Sequence, residues 1–216
     1  YLTCIIVGVD HRFRFAVPVY GCGFLGEDSA WMQQFVNLGR ERALRWLRLW
    51  DPSRYLVFSR MPMLWVTGTN DFAYPLPSLQ KTYRLLQAPR TLAVRVRMPH
   101  GHGAPGENPG EIAAFADAHL RGGTPLIRIV AQGVEGRTGW AAYDGTRPVV
   151  KAEMTYTCDT GPWRNRLWKT TVANVDTQAK RVGAALPDGV TVFYLNLFDD
   201  QDLVVSTEHL ATATSE

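Results

Sequence analysis

The order in which helical and strand-like segments follow one another constrains this chain more than any other feature. Up to residue 124, short apolar runs alternate with helical patterns, which is typical of a parallel sheet with crossover helices. The strands predicted there cover residues 15–20, 63–68 and 92–98, and the helices cover 28–50, 78–86 and 111–120. From residue 125 onward, strands follow strands, and turn signals recur at a spacing of about 8 to 12 residues.

These two patterns predict an α/β fold class and a domain boundary. We expect residues 1–124 to form part of a parallel sheet, with about three strands and flanking helices. We expect residues 125–216 to form a small all-β sandwich of the immunoglobulin or fibronectin kind. No internal repeat interrupts either part.

Composition excludes several classes of function. The 23 basic and 20 acidic residues are interspersed, so no single-sign block is present and we expect no nucleic-acid partner. The longest apolar runs are far shorter than the roughly 20 residues of a membrane-spanning helix, and we expect no membrane partner. The three cysteines, Cys4, Cys22 and Cys158, fit neither a disulfide framework nor a metal pattern. We therefore expect no metal.

Chemistry-bearing side chains follow the predicted strands at the ends where parallel sheets gather their catalytic loops. Cys22 follows the first strand, Asp71 the second, and the pair His100 and His102 the third. A carboxylate and an imidazole on such neighbouring loops can form the orienting and basic halves of a nucleophilic triad. The alternatives are that Asp71 is a turn residue and that the histidines are solvated loop residues. A zinc site at the two histidines lacks a further ligand at the usual spacing.

Two short segments carry a resemblance to a known superfamily. Residues 68–75 read GTNDFAYP after an apolar strand, and residues 98–103 read MPHGHG about 30 residues later. Together they resemble the acid and histidine segments of α/β-hydrolases, which follow the order nucleophile, acid, histidine. Residues 16–24, which read AVPVYGCGF, narrow the resemblance to the acetyl xylan esterase and dienelactone-hydrolase-like branch, related to prolyl oligopeptidases. The chain resembles the C-terminal half of such an enzyme.

The resemblance implies a serine-type carboxylic ester hydrolase that needs no cofactor. Asp71 matches the acid of the triad and His102, which precedes a glycine, matches the base, with His100 as the close rival. The nucleophile has no match, because no Gly-x-Ser-x-Gly occurs in these 216 residues. The elbow that carries it would lie just before Tyr1. The alternatives are a weakly active or non-catalytic truncated hydrolase that serves as a binding module, and a residual esterase that uses Cys22 or Ser29.

The expected ligands and partners follow from the same resemblance. Phe24, Trp31 and Phe72 would lie beside the active-site edge and line a pocket for a small-molecule or polysaccharide ester. The incomplete sheet would leave an edge open, so we expect a homo-oligomer or pairing through that edge. The sequence leaves the localisation open, with a secreted or periplasmic parent as one alternative.

Overall fold

A computed structural model describes residues 1–212, and the chain packs as two compact units. The first unit comprises Tyr1–Arg90 and Arg97–Asn108. The second comprises Thr91–Val96 and the chain from Pro109 onward. In the described residues, no helix combines the length and the apolar character required to cross a bilayer.

The first unit is built from short helices around one buried strand. That strand, β1 (Met63–Gly68), is buried at every position, as predicted from its apolar run. The predicted strand at 15–20 is reduced to two isolated parallel bridges, which join Ala16 to Met63 and Val19 to Val66. The helices are α1 (Leu2–Val9), α2 (Met32–Leu38), α3 (Arg40–Trp50), α4 (Ser53–Leu56), α5 (Leu76–Tyr83) and α6 (Ala104–Glu107).

The helix predicted over residues 28–50 is two helices, because Gly39 interrupts it. This glycine has a φ of 76°, in the region that other residues seldom adopt, and it ends α2 and caps the start of α3. The apolar residues of 2–9, which have no strand partner, form α1. A run of this length and apolarity fits a helix as well as a strand by pattern alone.

The end of β1 is held closely against the segment that carries the histidines. A Cβ atom on Gly68 would lie 2.3 Å from the carbonyl oxygen of Met98, so only glycine allows this approach. The hydroxyl of Thr69 accepts a hydrogen bond from the backbone N–H of Arg97 at 3.0 Å. These two contacts fix residues 97–102 beside the loop that follows β1.

The described part of the second unit contains an antiparallel sheet, the α-helix α7 (Gly110–Arg121) and a short 3-10 helix (Trp163–Asn165). Its strands are β2 (Arg90–Arg95), β3 (Arg128–Glu135), β4 (Thr138–Asp144), β5 (Lys151–Thr157), β6 (Lys169–Asp176), β7 (Arg181–Ala185), β8 (Val192–Phe198), β9 (Val204–Ser206) and β10 (Leu210–Ala211). Their order in the sheet is β2-β9-β8-β5-β6-β7-β4-β3, and β10 pairs with β8. All of these pairings are antiparallel.

Buried polar residues tie β2 into this sheet. The hydroxyl of Ser206 accepts the N–H of Val94 at 2.8 Å and donates to the side-chain oxygen of Asn196 at 2.6 Å. The fully buried carboxylate of Glu111 accepts the N–H of Val204 at 2.6 Å and forms a salt bridge with Arg95 at 2.5 Å. The hydrogen bonds of Ser206 Oγ and Glu111 Oε1 offset the cost of burying these two oxygens.

The predicted fold class is wrong. The described strands form a mixed, mainly antiparallel sheet with few helices, and not a parallel α/β sheet with flanking helices. The strand predicted at 92–98 does exist as β2, but Leu92 pairs antiparallel with Ser206, more than a hundred residues away. A buried apolar run has the same appearance in parallel and antiparallel sheets, so the pattern identified the strand and not its partner.

Candidate functional site

Asp71 lies in the tight turn directly after β1, and its carboxylate is inaccessible to solvent. One carboxylate oxygen, Oδ1, accepts the backbone N–H groups of Ala73 at 2.7 Å and Tyr74 at 2.9 Å. An aspartate that accepts bonds from the following backbone stabilises a turn, so the local sequence itself fixes the carboxylate. These bonds leave the carboxylate able to accept a further donor.

That further donor is the imidazole of His100. Its Nδ1 lies 2.8 Å from Oδ2 and 3.0 Å from Oδ1 of Asp71. A carboxylate accepts hydrogen bonds, so the contact favours the tautomer with hydrogen on Nδ1 and the lone pair on Nε2. The His100 side chain retains 19% of its exposure, whereas the Asp71 side chain has none. The pair thus combines a buried carboxylate with a partly accessible base.

Three aromatic rings surround the imidazole of His100. The Tyr20 ring is stacked on it, with centroids 4.2 Å apart and planes at 19°. The rings of Phe72 and Tyr74 are tilted against it at centroid distances of 5.2 and 5.8 Å. Phe72 is 59% exposed, so it offers an apolar surface to solvent directly beside the base.

The two candidate histidines differ in their surroundings. His100 contacts Asp71, whereas His102 is exposed in the glycine-containing loop that follows. The structure therefore pairs the carboxylate with the residue that the sequence analysis ranked second. The catalytic roles of all three residues stay predictions.

The other predicted aromatic residues lie at different distances from this pair. Trp31 donates its indole N–H to the Tyr74 hydroxyl at 3.2 Å and stacks on Trp46 at a centroid distance of 5.7 Å. It is therefore linked to His100 through Tyr74. Phe24 instead contacts the ammonium of Lys81, 4.3 Å from its ring centroid. Of the three predicted pocket residues, Phe72 is the one that contacts the imidazole.

The two candidate replacement nucleophiles, Cys22 and Ser29, lie in surroundings that favour a structural role over a catalytic one. Cys22 is 1% exposed, and burial raises the pKa of its thiol, which disfavours the reactive thiolate. The hydroxyl of Ser29 donates to the carbonyl of Leu25 at 2.7 Å and accepts the N–H of Trp31 at 3.0 Å. Ser29 thus acts as a local backbone cap.

Sequence reasoning missed Tyr20 as a member of this site. Tyr20 ends the apolar run 15–20. Its position next to a strand-end loop was the available signal. Among residues 1–212, no group of three or more metal-ligating side chains comes together.

Comparison with known proteins gives a distant structural likeness. Neither a family model nor a curated protein matches the chain. The acetyl xylan esterase from Paenibacillus sp. R4 aligns with a TM-score of 0.46 and 19% sequence identity, over 55% of this chain and 42% of the esterase. The chain therefore aligns with less than half of the length of that enzyme.

Proposed function

We propose that the first unit supplies the base and the orienting acid for carboxylic ester hydrolysis. The observation that carries the proposal is the hydrogen bond from Nδ1 of His100 to the buried carboxylate of Asp71. This arrangement keeps the ring in one orientation and stabilises the positive charge that it gains during proton transfer.

The proton moves through the opposite nitrogen of the ring. Nε2 of His100 takes the proton from an attacking hydroxyl while the oxygen of that hydroxyl forms a bond to the ester carbonyl carbon. The resulting imidazolium is stabilised by Asp71. It then returns the proton to the departing alkoxide, which leaves as an alcohol. The aspartate keeps its charge throughout.

The exposed ring of Phe72 indicates which esters the site would prefer. It lies beside the imidazole, so an ester bound at Nε2 would rest its acyl or alcohol group against this ring. We therefore expect a preference for esters with an apolar or aromatic group. The hydrolysis rates of p-nitrophenyl esters with acetyl and with larger acyl groups test this preference.

We assign no residue of this sequence as the source of the attacking hydroxyl. The 216 residues contain no Gly-x-Ser-x-Gly, Cys22 is buried, and the hydroxyl of Ser29 is bonded to the backbone. For these residues alone, we expect His100 to act as a weak general base for the attack of water or an added alcohol on the ester. We expect no covalent acyl-enzyme. We do not propose the residual esterase that would use Cys22 or Ser29.

The experiment measures p-nitrophenyl acetate hydrolysis by this chain, with and without added trifluoroethanol as a nucleophile. We expect a small acceleration above buffer that His100→Ala abolishes. The matched control is His102→Ala, which removes an exposed histidine two residues away and should leave the rate unchanged. Equal rates for the wild-type chain and His100→Ala would refute the proposal.

Covalent labelling tests separately whether Ser29 acts as a nucleophile. A fluorophosphonate probe should leave Ser29 unmodified, as judged by mass spectrometry of the intact protein and its peptides. Labelling of Ser29, with loss of turnover, would contradict our assignment of that residue as a cap.

A further inference from the structure

We propose that Tyr20 is a positioning residue for His100, which it holds by its ring and its hydroxyl. The ring lies flat on the imidazole, and the hydroxyl donates a 2.7 Å hydrogen bond to the carbonyl oxygen of Pro99, the residue before the histidine. The inference concerns the orientation of the base and rests on the proposed function for its catalytic consequence.

Tyr20 is itself fixed by the buried strand of the first unit. Its backbone N–H donates to the carbonyl of Val66 in β1 at 2.9 Å, next to the bridge between Val19 and Val66. Its φ is 52°, a conformation that bulky residues seldom adopt and that neighbouring contacts must maintain. The side chain is buried, at 8% exposure. A tyrosine held in this way can transmit the rigidity of β1 to the ring stacked on it.

The three contacts around His100 restrain different movements. Asp71 fixes the direction of Nδ1 within the plane of the ring. Tyr20 covers one face and opposes tilting of the ring. The bond to Pro99 restrains the backbone from which the imidazole projects. Together they leave Nε2 in a defined position, which general-base catalysis requires.

The environment of Tyr20 preserves its role as a hydrogen-bond donor. A tyrosine hydroxyl keeps its proton at neutral pH, and burial raises the pKa of the Tyr20 phenol further. A Cβ atom on Gly106 would lie 3.2 Å from the Tyr20 ring, its hydroxyl and the Val19 side chain. The glycine in α6 therefore permits close packing on the tyrosine.

The test compares Tyr20→Phe, which keeps the ring, with Tyr20→Leu, which removes it. The first readout is the NMR signals of the His100 ring protons, identified by their absence in His100→Ala. A ring stacked at 4.2 Å shifts these signals by its ring current, so we expect the shift to persist in Tyr20→Phe and to disappear in Tyr20→Leu.

The second readout is the His100-dependent rate with p-nitrophenyl acetate. We expect Tyr20→Phe to remain within about threefold of the wild-type rate and Tyr20→Leu to lose about tenfold, because a loosely held base seldom reaches the reactive geometry. The matched control is Phe35→Leu, which removes another buried aromatic ring of the first unit that packs on Trp46. This control should leave the His100 signals and the rate unchanged.

The two readouts separate the failure of each proposal. Unchanged His100 signals in a folded Tyr20→Leu chain would overturn the positioning role, whatever the rate. If Tyr20→Leu does not fold, the absence of a ring-current shift from the His100 signals of the wild-type chain would overturn it. A wild-type rate equal to that of His100→Ala would remove the proposed function and leave the NMR result to decide the role of Tyr20.

Discussion

Replacing Asp71 by asparagine keeps the shape of the side chain and removes its charge. Oδ1 can still accept the backbone N–H groups of Ala73 and Tyr74. At the position of Oδ2, however, an amide NH₂ would face Nδ1 of His100, where only a proton acceptor fits. The imidazole must then move its proton to Nε2, the nitrogen that has to accept a proton during catalysis.

The stability cost follows from the three hydrogen bonds at this carboxylate. A bond to a charged group contributes about 1.5–3 kcal/mol and a neutral one about 0.5–1.5 kcal/mol, so each bond loses about 1 kcal/mol. The sum is about 3 kcal/mol when all three bonds are affected. For a chain of this length, each kcal/mol lowers the melting temperature by roughly 2–4 °C, so we expect a decrease of roughly 6–12 °C.

The assay combines thermal unfolding with ester hydrolysis at a temperature where both proteins are folded. We expect Asp71→Asn to lower the melting temperature as calculated and to reduce the rate to that of His100→Ala. The matched control is Asp10→Asn, which removes a partly exposed carboxylate paired with the exposed Arg12 and should change neither quantity appreciably. A folded Asp71→Asn chain with the wild-type rate would refute the orienting role and leave Asp71 as a turn residue.

Burial and close packing at other positions also have measurable consequences. Burial raises the pKa of Cys4 to about 12, so iodoacetamide at mildly alkaline pH should modify the exposed Cys158 first; equal labelling in the folded chain would argue against this. Glu111→Ala should lower the free energy of unfolding by about 3 kcal/mol in a urea titration, because it leaves a buried N–H and a cation without their acceptor. Gly68→Ala should cost about 1–3 kcal/mol because its Cβ meets backbone, whereas Gly161→Ala, with open space around it, should be nearly neutral.

Local patterns predicted the elements of this fold better than their arrangement. The apolar run at β1, the helical pattern of α7 and the succession of strands expected after residue 125 correspond to elements of the structure. The partner of β2 could not be predicted, because it depends on Ser206 and Asn196, whose polar side chains gave no sign that they are buried beside Val94. Strand pairing over such a distance in sequence leaves no periodic signal in either segment.

The candidate site was predictable in part for a similar reason. Asp71 was found because it directly follows a buried strand, where the backbone turns and side chains of neighbouring loops converge. The choice between His100 and His102 was not decidable from spacing, since both lie in one short loop two residues apart. Which histidine meets Asp71 depends on the ring contact from Tyr20 and on the close approach of Gly68 to Met98. These contacts bring His100 to the carboxylate.

The protonation of the His100 ring tests the central claim most directly. Nitrogen-15 NMR of the wild-type chain, at a pH where free imidazole is neutral, distinguishes hydrogen on Nδ1 from hydrogen on Nε2, and His100→Ala identifies the signals. We expect His100 to carry its hydrogen on Nδ1 with slow exchange, and the exposed His102 to show averaged signals. Hydrogen on Nε2 of His100, or averaging like that of His102, would contradict a base oriented by Asp71.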